Sequence, residues 1–484
     1  QVILSIMGIF ESIISSAADI FQGADERSVR RLIETILERI KRSPDLINPN
    51  LLLETVITLT KSVLAAVFGA VGSVSSIREA VFKNEINATT LILVRDQAAE
   101  LVNFVLDLAE ASKCYYMTDG KYDSENEHVL YAEFNELDFS MHRNRHAAIC
   151  QIQRLTKSVI YILKNLYKPV RFTDIHMSEE TTLQSDLVSN SSGTKKSPAE
   201  EEDMITGDEK WFFINGIGGE IFWLELACDK LRAMFSREIN GIFNRGDGLL
   251  WDLIECAGQR NSYLQNPDTN STTTNTDVDG VVGGQRNLID STASSKEAQK
   301  VLHTELLKAL EEAPATQHVI IIAHSQGCLL LRCVLEDLIT AATKNSTIRG
   351  KLQGQLCVFT FGNPSLHWKT QGKYPIIADT DGTNLSSHVL RTEHFANRRD
   401  FVARLGVLSE DSEYGSDEIF INENEDWIGH LFGTQYSFNS DHYQNSHHQH
   451  SWLLGCRFGK KLNDVKSKLK HVLPILPFLL EKSL

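Results

Sequence analysis

HVIIIAHSQGCLLLR, residues 318 to 332, sets a β-branched run directly against a helical one. Val319, Ile320, Ile321 and Ile322 form the continuous apolar stretch required of a parallel strand buried on both faces. Beyond it, Cys328, Leu329, Leu331, Val334, Leu335 and Leu338 recur at helical spacing. Between the two lies Ala323-His-Ser325-Gln-Gly327, with small residues on both sides of a serine, as a sharp turn needs where two backbones pass closely. Strand, turn and helix in that order expose Ser325 as a nucleophile. The plain alternative is an inert serine in a strand-to-helix turn, so the rest of the chain has to decide.

Outward from this stretch, short apolar runs alternate with helical stripes. Trp211 to Ile214, Glu238 to Phe243 and Leu356 to Phe361 read as strands. Ile221 to Phe235, Leu249 to Ala257 and Lys296 to Glu312 read as helices. That alternation predicts an α/β domain over residues 211–484, with a doubly wound, mostly parallel sheet. A polar stretch at about 261–295 interrupts it and reads as a disordered insertion. Residues 173–210, rich in Ser, Thr, Glu, Asp and Lys, have too little apolar surface to order themselves and read as a disordered linker. Residues 1–172 read as an all-helical domain: Val29, Leu32, Ile33, Ile36, Leu37 and Ile40 fall on one helical face, and similar stripes recur up to Leu166. This half carries no catalytic constellation, and its expected role is to pack against or partly cover the other.

Acyl transfer through a serine needs a base for the hydroxyl proton, a carboxylate to hold that base in one tautomer, and N–H donors for the oxyanion. A second buried strand, CVFTFGNP (357–364), ends in a Gly-Asn-Pro turn, and VLRTEHFANRRD (389–400) follows, leading into FVARLG. In chain order, A-H-S-Q-G, T-F-G-N-P and R-R-D-F-V-A-R-L resemble the α/β-hydrolase superfamily and are most similar to its class 3 lipase-like branch. Ala323 replaces the usual glycine of the elbow, and Arg404 stands at or beside a position where those lipases usually have proline. The resemblance covers roughly residues 211–455. It implies that Asp400 is the acid of a Ser-Asp-His triad, where the alternative is a surface carboxylate paired with Arg398 or Arg399. Asp379 and Asp381, in a polar turn, are poorer rivals.

The base should follow the acid, which leaves His430, His442, His447, His448 and His450. We assign His430, which opens an apolar, aromatic stretch through Phe438, with His442 as the reserve. His324 should point away from the site and serve a structural role. The turn Asn215-Gly-Ile-Gly-Gly after the first strand resembles the superfamily's oxyanion turn. It implies that the backbone N–H groups of Gly216 or Ile217, with that of Gln326, are the donors. A phosphate loop is the rival reading of that turn, but neither the Gly-Lys-[Ser/Thr] nor the G-x-G-x-x-G register is present.

These residues together predict a serine hydrolase acting on a carboxylic ester, lipid or small-molecule, with no metal or organic cofactor. A catalytically inactive scaffold of the same fold, or an acyltransferase or thioesterase using the same residues, are the alternatives. The net charge of −15 argues against a nucleic-acid partner. Cys114, Cys150, Cys228, Cys256, Cys328, Cys333, Cys357 and Cys456 are scattered through apolar segments without a C-x-x-C pair. They read as reduced core thiols, which favour an intracellular location. Five N-x-[Ser/Thr] sequons pull the other way and leave the compartment open. His447, His448 and His450 lack carboxylate or cysteine companions and read as a solvated loop, not a metal site. The basic run Arg457 to Lys470, followed by the apolar Leu473 to Leu480, allows peripheral membrane contact, although a helix packed on the core is the simpler reading. Oligomeric state is not legible.

Overall fold

The computed structural model describes residues 208–259 except 247, 293–370, 383–424, 427 and 429–472. It also describes the segment 188–190 and positions 134–136, 138, 141, 143, 144, 147 and 151. The strands are β1 (Val188–Asn190), β2 (Glu209–Ile214), β3 (Ile239–Ile242), β4 (His318–His324), β5 (Leu356–Phe361), β6 (Arg391–Asn397), β7 (Ile419–Asn422) and β8 (Tyr443–Gln444). The helices are α1 (Ile221–Phe235), α2 (Leu249–Gln259), α3 (Ala293–Glu312), α4 (Gln326–Ala342), α5 (Ser346–Gln355), α6 (Phe401–Leu405), α7 (Phe432–Gln435), α8 (Trp452–Gly455) and α9 (Leu462–Val472).

One sheet orders these strands β1-β3-β2-β4-β5-β6-β7-β8. The inner pairings are parallel, and only the edge pairs β1/β3 and β7/β8 are antiparallel. β2, β4 and β5 are apolar along nearly their whole length because alternate residues feed two different cores. Phe212, Ile214, Val319, Ile321, Leu356 and Val358 pack with α3, α4 and α5 on one face. Trp211, Phe213, Ile320, Ile322, Cys357 and Phe359 pack with α1, α8 and α9 on the other. The fold is therefore α/β, a mostly parallel sheet covered by helices on both sides. α4 is buried nearly all round, including Leu329, Leu330, Leu331, Leu335 and Leu338. Truncating one such leucine to alanine costs about 2–5 kcal/mol in a close-packed core.

The chain leaves β2 toward β3 on one side and returns to β4 on the other. Open α/β sheets place their ligands beyond the carboxyl ends of the strands at such a reversal. Asn215 to Gly219 and Ser325 follow those two strand ends directly.

Several expectations need correction. Residues 188–190, inside the stretch read as a linker, form the edge strand β1, and the same stretch supplies Glu209 and Lys210 to β2. The free backbone groups along β3 accept an antiparallel strand whatever its side chains, which composition does not reveal. Helix α3 begins at Ala293, so the end of the polar insertion is already helical and Ser295 is buried. Positions 143, 144, 147 and 151 are helical as expected. The other helical stripes of residues 1–172, Asp379 and Asp381, and Leu473 to Leu480 lie outside the described residues. Among the described residues no helix is long and apolar enough to cross a membrane. The described cysteines are free thiols, buried except for the half-buried Cys333.

Candidate active site

Ser325 occupies the turn between β4 and α4 with φ 56° and ψ −126°. A side chain in that region costs on the order of 1–3 kcal/mol and persists only where the surroundings over-determine it. Here two bonds fix it: Ser325 N–H donates to Phe361 O at 2.8 Å, and Cys328 N–H donates to Ser325 O at 2.9 Å. Ser325 stands at the N-cap position of α4, where a serine hydroxyl ordinarily accepts from the helix, yet its side chain makes no cap bond. Its Oγ is buried without a hydrogen-bond partner. The sharp turn forms where expected, but Ser325 is 0% exposed, contrary to the expectation of an exposed hydroxyl.

The neighbouring backbone comes unusually close. A Cβ on Gly216 would lie 2.2 Å from Ser325 Cβ and 2.9 Å from its Oγ, so only glycine fits beside the serine. A Cβ on Gly327 would stand 2.7 Å from Asn215 O. Both contacts bring the turn after β2 against the turn after β4.

Asp400 caps α6, its Oδ1 accepting from Val402 N at 2.8 Å and Ala403 N at 3.4 Å. Its Oδ2 faces His430, 2.7 Å from Nδ1, and also accepts from the Tyr436 hydroxyl. Asp400 is thus a fully buried carboxylate; Arg398 pairs with Glu423 instead, at 2.7 Å. Burial and the Asp400 charge beside it push the Tyr436 hydroxyl well above its ordinary value, so it stays protonated and donates to Asp400.

His430 is held at several points. Its backbone N–H and that of Leu431 donate to Gln435 Oε1 at 2.7 and 2.8 Å, and its carbonyl accepts from His324 Nε2 at 2.8 Å. The His324 and His430 rings pack 4.5 Å apart. Burial, then the adjacent His430, lowers the His324 pKa well below its ordinary value, so this imidazole stays neutral with its proton on Nε2. His324 thus supports the loop that carries His430 and does not point away from it. Gly362, which follows the Phe361 carbonyl that holds Ser325, has φ +58°. A Cβ there would lie 2.8 Å from His430 Cε1 and 2.7 Å from Asp400 Oδ2. The β5 turn therefore brings Ser325, Asp400 and His430 to one end of the sheet. His442, by contrast, bonds Ser437 Oγ through Nδ1 at 2.9 Å and packs against Trp427.

In the turn after β2, the N–H of Gly218 is committed to Asp252 Oδ2 at 2.8 Å. Asn215 clamps Asn244, accepting from its N–H at 2.8 Å and donating to its carbonyl at 2.7 Å. Cys328, one turn into α4, is no rival nucleophile, because burial pushes its thiol well above the ordinary range. His447, His448 and His450 are exposed, and among the described residues no group of three or more His, Cys, Asp or Glu could hold a metal ion.

Residues from the first half of the chain close this end of the molecule. Glu136 Oε1 accepts from Gly433 N at 2.5 Å, three residues past His430. Gln151 donates to Glu220 Oε1 at 2.8 Å, and Asn144 accepts from Trp223 at 3.2 Å. From α1, the buried Lys230 donates to the carbonyls of Phe432 and Tyr436 at 2.8 and 2.5 Å, tying both ends of α7. Burial outweighs the nearby Lys230 charge and raises the Glu136 pKa to about 7. Sequence reasoning missed Tyr436, Gln435, Lys230 and Glu136. Only the aromatic run from Leu431 to Phe438 hinted that the histidine loop would be packed from several sides. No protein-family model, curated protein or solved structure matches this chain.

Proposed function

We propose that the chain is a serine hydrolase of the α/β-hydrolase type that cleaves a carboxylic ester through an acyl-enzyme. The observation that carries this reading is the 2.7 Å contact between Asp400 Oδ2 and His430 Nδ1 at the sheet end where Ser325 is held in a strained turn with an uncommitted hydroxyl. In the proposed reaction Ser325 Oγ bonds to the ester carbonyl carbon while His430 Nε2 takes the hydroxyl proton. The Asp400 carboxylate holds Nδ1–H and stabilises the imidazolium. The oxyanion accepts hydrogen bonds from Gln326 N–H and from Gly216 or Ile217 N–H. Collapse breaks the bond to the leaving alcohol, which receives the proton from Nε2. Water then repeats the sequence on the acyl-serine and releases the acid. The lipase resemblance favours an acyl or lipid ester.

The burial of Ser325 supports a second reading, an inert fold that serves as an interaction scaffold. Labelling with a fluorophosphonate, comparing the native chain with Ser325→Ala and mapping the modified peptide, separates the two. A Ser325 adduct that disappears in the variant supports the hydrolase. Folded native protein that fails to react supports the scaffold. Product analysis in added alcohols or thiols separates hydrolysis from transfer, and exclusive transfer would replace the hydrolase reading with an acyltransferase.

A further inference from the structure

Helix α2 points two carboxylates, one turn apart, at the two sides of the site. Asp252 and Glu255 stand at i and i+3, the spacing that puts side chains on one helical face. Asp252 Oδ2 accepts from Gly218 N–H at 2.8 Å and so grips the turn that follows β2. Glu255 Oε2 accepts from Gln326 Nε2 at 2.5 Å and from Ser295 Oγ at 3.2 Å, gripping the first residue of α4. The same Gln326 amide accepts from Asn244 Nδ2 at 2.7 Å through its oxygen, so both ends of the amide are held and its orientation is unique. Asn244 is the residue clamped by Asn215, which immediately precedes Gly216. A closed circuit therefore runs from the Asn215 turn through Asn244 to Gln326, and from Gln326 and Gly218 back to one face of α2. Every member of the circuit with a polar side chain is buried.

What the circuit fixes is the separation between the Gly216–Gly218 turn and the Gln326 backbone. We infer that Glu255, with Asp252, acts as a positioning residue that sets the distance between the two groups of oxyanion donors. This inference rests on the hydrolase reading. Neither carboxylate touches the reacting atoms, and each acts through the backbone it holds.

The test uses the full chain, p-nitrophenyl butyrate as substrate and an alkyl trifluoromethyl ketone as an analogue of the tetrahedral intermediate. Glu255→Asp keeps the charge but withdraws the carboxylate by one methylene, and Glu255→Gln keeps the reach and an acceptor oxygen. Displacing a donor by a fraction of an ångström should lower kcat by roughly 10–10²-fold in Glu255→Asp, with KM within about twofold. The ketone should weaken by the same factor, and Glu255→Gln should recover most of the loss. A merely structural role would move the melting temperature without this parallel fall in kcat and ketone affinity. Should Glu255→Asp fail to fold, Asp252→Ala, which removes the acceptor for Gly218 N–H and is read in the same two assays, carries the test from the other prong. Unchanged kcat and ketone affinity in a folded variant overturn the positioning role alone. A native chain that neither turns over the ester nor labels at Ser325 overturns the hydrolase reading and this inference with it.

Discussion

Asp400 serves two structures with its two oxygens: Oδ1 caps helix α6 and Oδ2 holds the Nδ1 of His430. The orientation of the base is thereby tied to the first turn of a helix. The two duties can be separated by substitution. In Asp400→Asn the amide oxygen can keep the N-cap, which turns the amide NH2, a donor only, toward His430 Nδ1 and favours the wrong tautomer. Ester turnover should fall on the order of 10⁴-fold, and stability should fall by about 1–3 kcal/mol because the amide nitrogen cannot accept from the Tyr436 hydroxyl. Asp400→Ala removes the cap as well and should cost about 1 kcal/mol more than Asp400→Asn through the helix end. Kinetics and denaturant unfolding on the pair check both statements.

Tyr436→Phe deletes the hydroxyl that donates to the same carboxylate oxygen as His430. The ring keeps its place among Phe361, Phe432 and Phe438 in the aromatic core. A hydrogen bond to a buried charged group contributes about 1.5–3 kcal/mol, so unfolding should show a loss of that size. Turnover should fall far less than in Asp400→Asn. Equal losses of turnover in the two variants would show that Tyr436 acts on the base directly.

Gly216→Ala should abolish labelling of Ser325 while leaving the protein folded at reduced stability. The added methyl group would sit 2.2 Å from Ser325 Cβ, against backbone on one side and the nucleophile on the other. Relief must come from movement of one of the two turns, and both carry the site. The check is the rate of fluorophosphonate labelling alongside the melting temperature. Normal labelling would mean that the two turns separate without consequence.

The contribution of Glu136 to stability should fall as pH rises between about 4.5 and 7, because it binds its proton more tightly in the folded state, where its pKa is about 7, than in the unfolded chain. Its contribution is complete below the unfolded value and is lost as pH passes through the folded one. In Glu136→Gln the carbonyl oxygen can still accept from Gly433 N–H, and no charge forms. The variant should match the native protein near pH 4.5 and exceed it at pH 8, the difference opening between those values. Melting curves across that range decide the matter, and parallel profiles would contradict the assignment.

The sheet was legible because its strands are written locally. Val319 to Ile322 and Leu356 to Phe361 announce themselves by β-branched and aromatic continuity, and Ser325 by the small residues beside it. Asp400 was singled out by the resemblance of its motif and His430 because it follows Asp400 in the chain and opens an aromatic stretch, and the two side chains do meet. The supports of the site were not legible. Glu255 meets Gln326 across 71 positions, and Glu136 meets Gly433 across 297. A single polar side chain on a helix looks the same in sequence whether it faces water or a buried amide. The burial of Ser325 was unreadable for a related reason: a strand and a turn specify which way a hydroxyl points, and the elements that pack over it come from elsewhere in the chain.

The hydrogen bond from Ser325 N–H to Phe361 O, with that from Gly362 N–H to Phe395 O, extends the sheet ladder one rung beyond the strands. The turn is thus continuous with the central strands of the sheet. In native-state hydrogen exchange the Ser325 amide should open with the free energy of global unfolding, alongside Ile321 and Val358, and not with the loops around it. Sub-global fraying at the β1 or β8 edge then leaves the nucleophile in register, and heat should erase its reactivity in the same transition that melts the sheet.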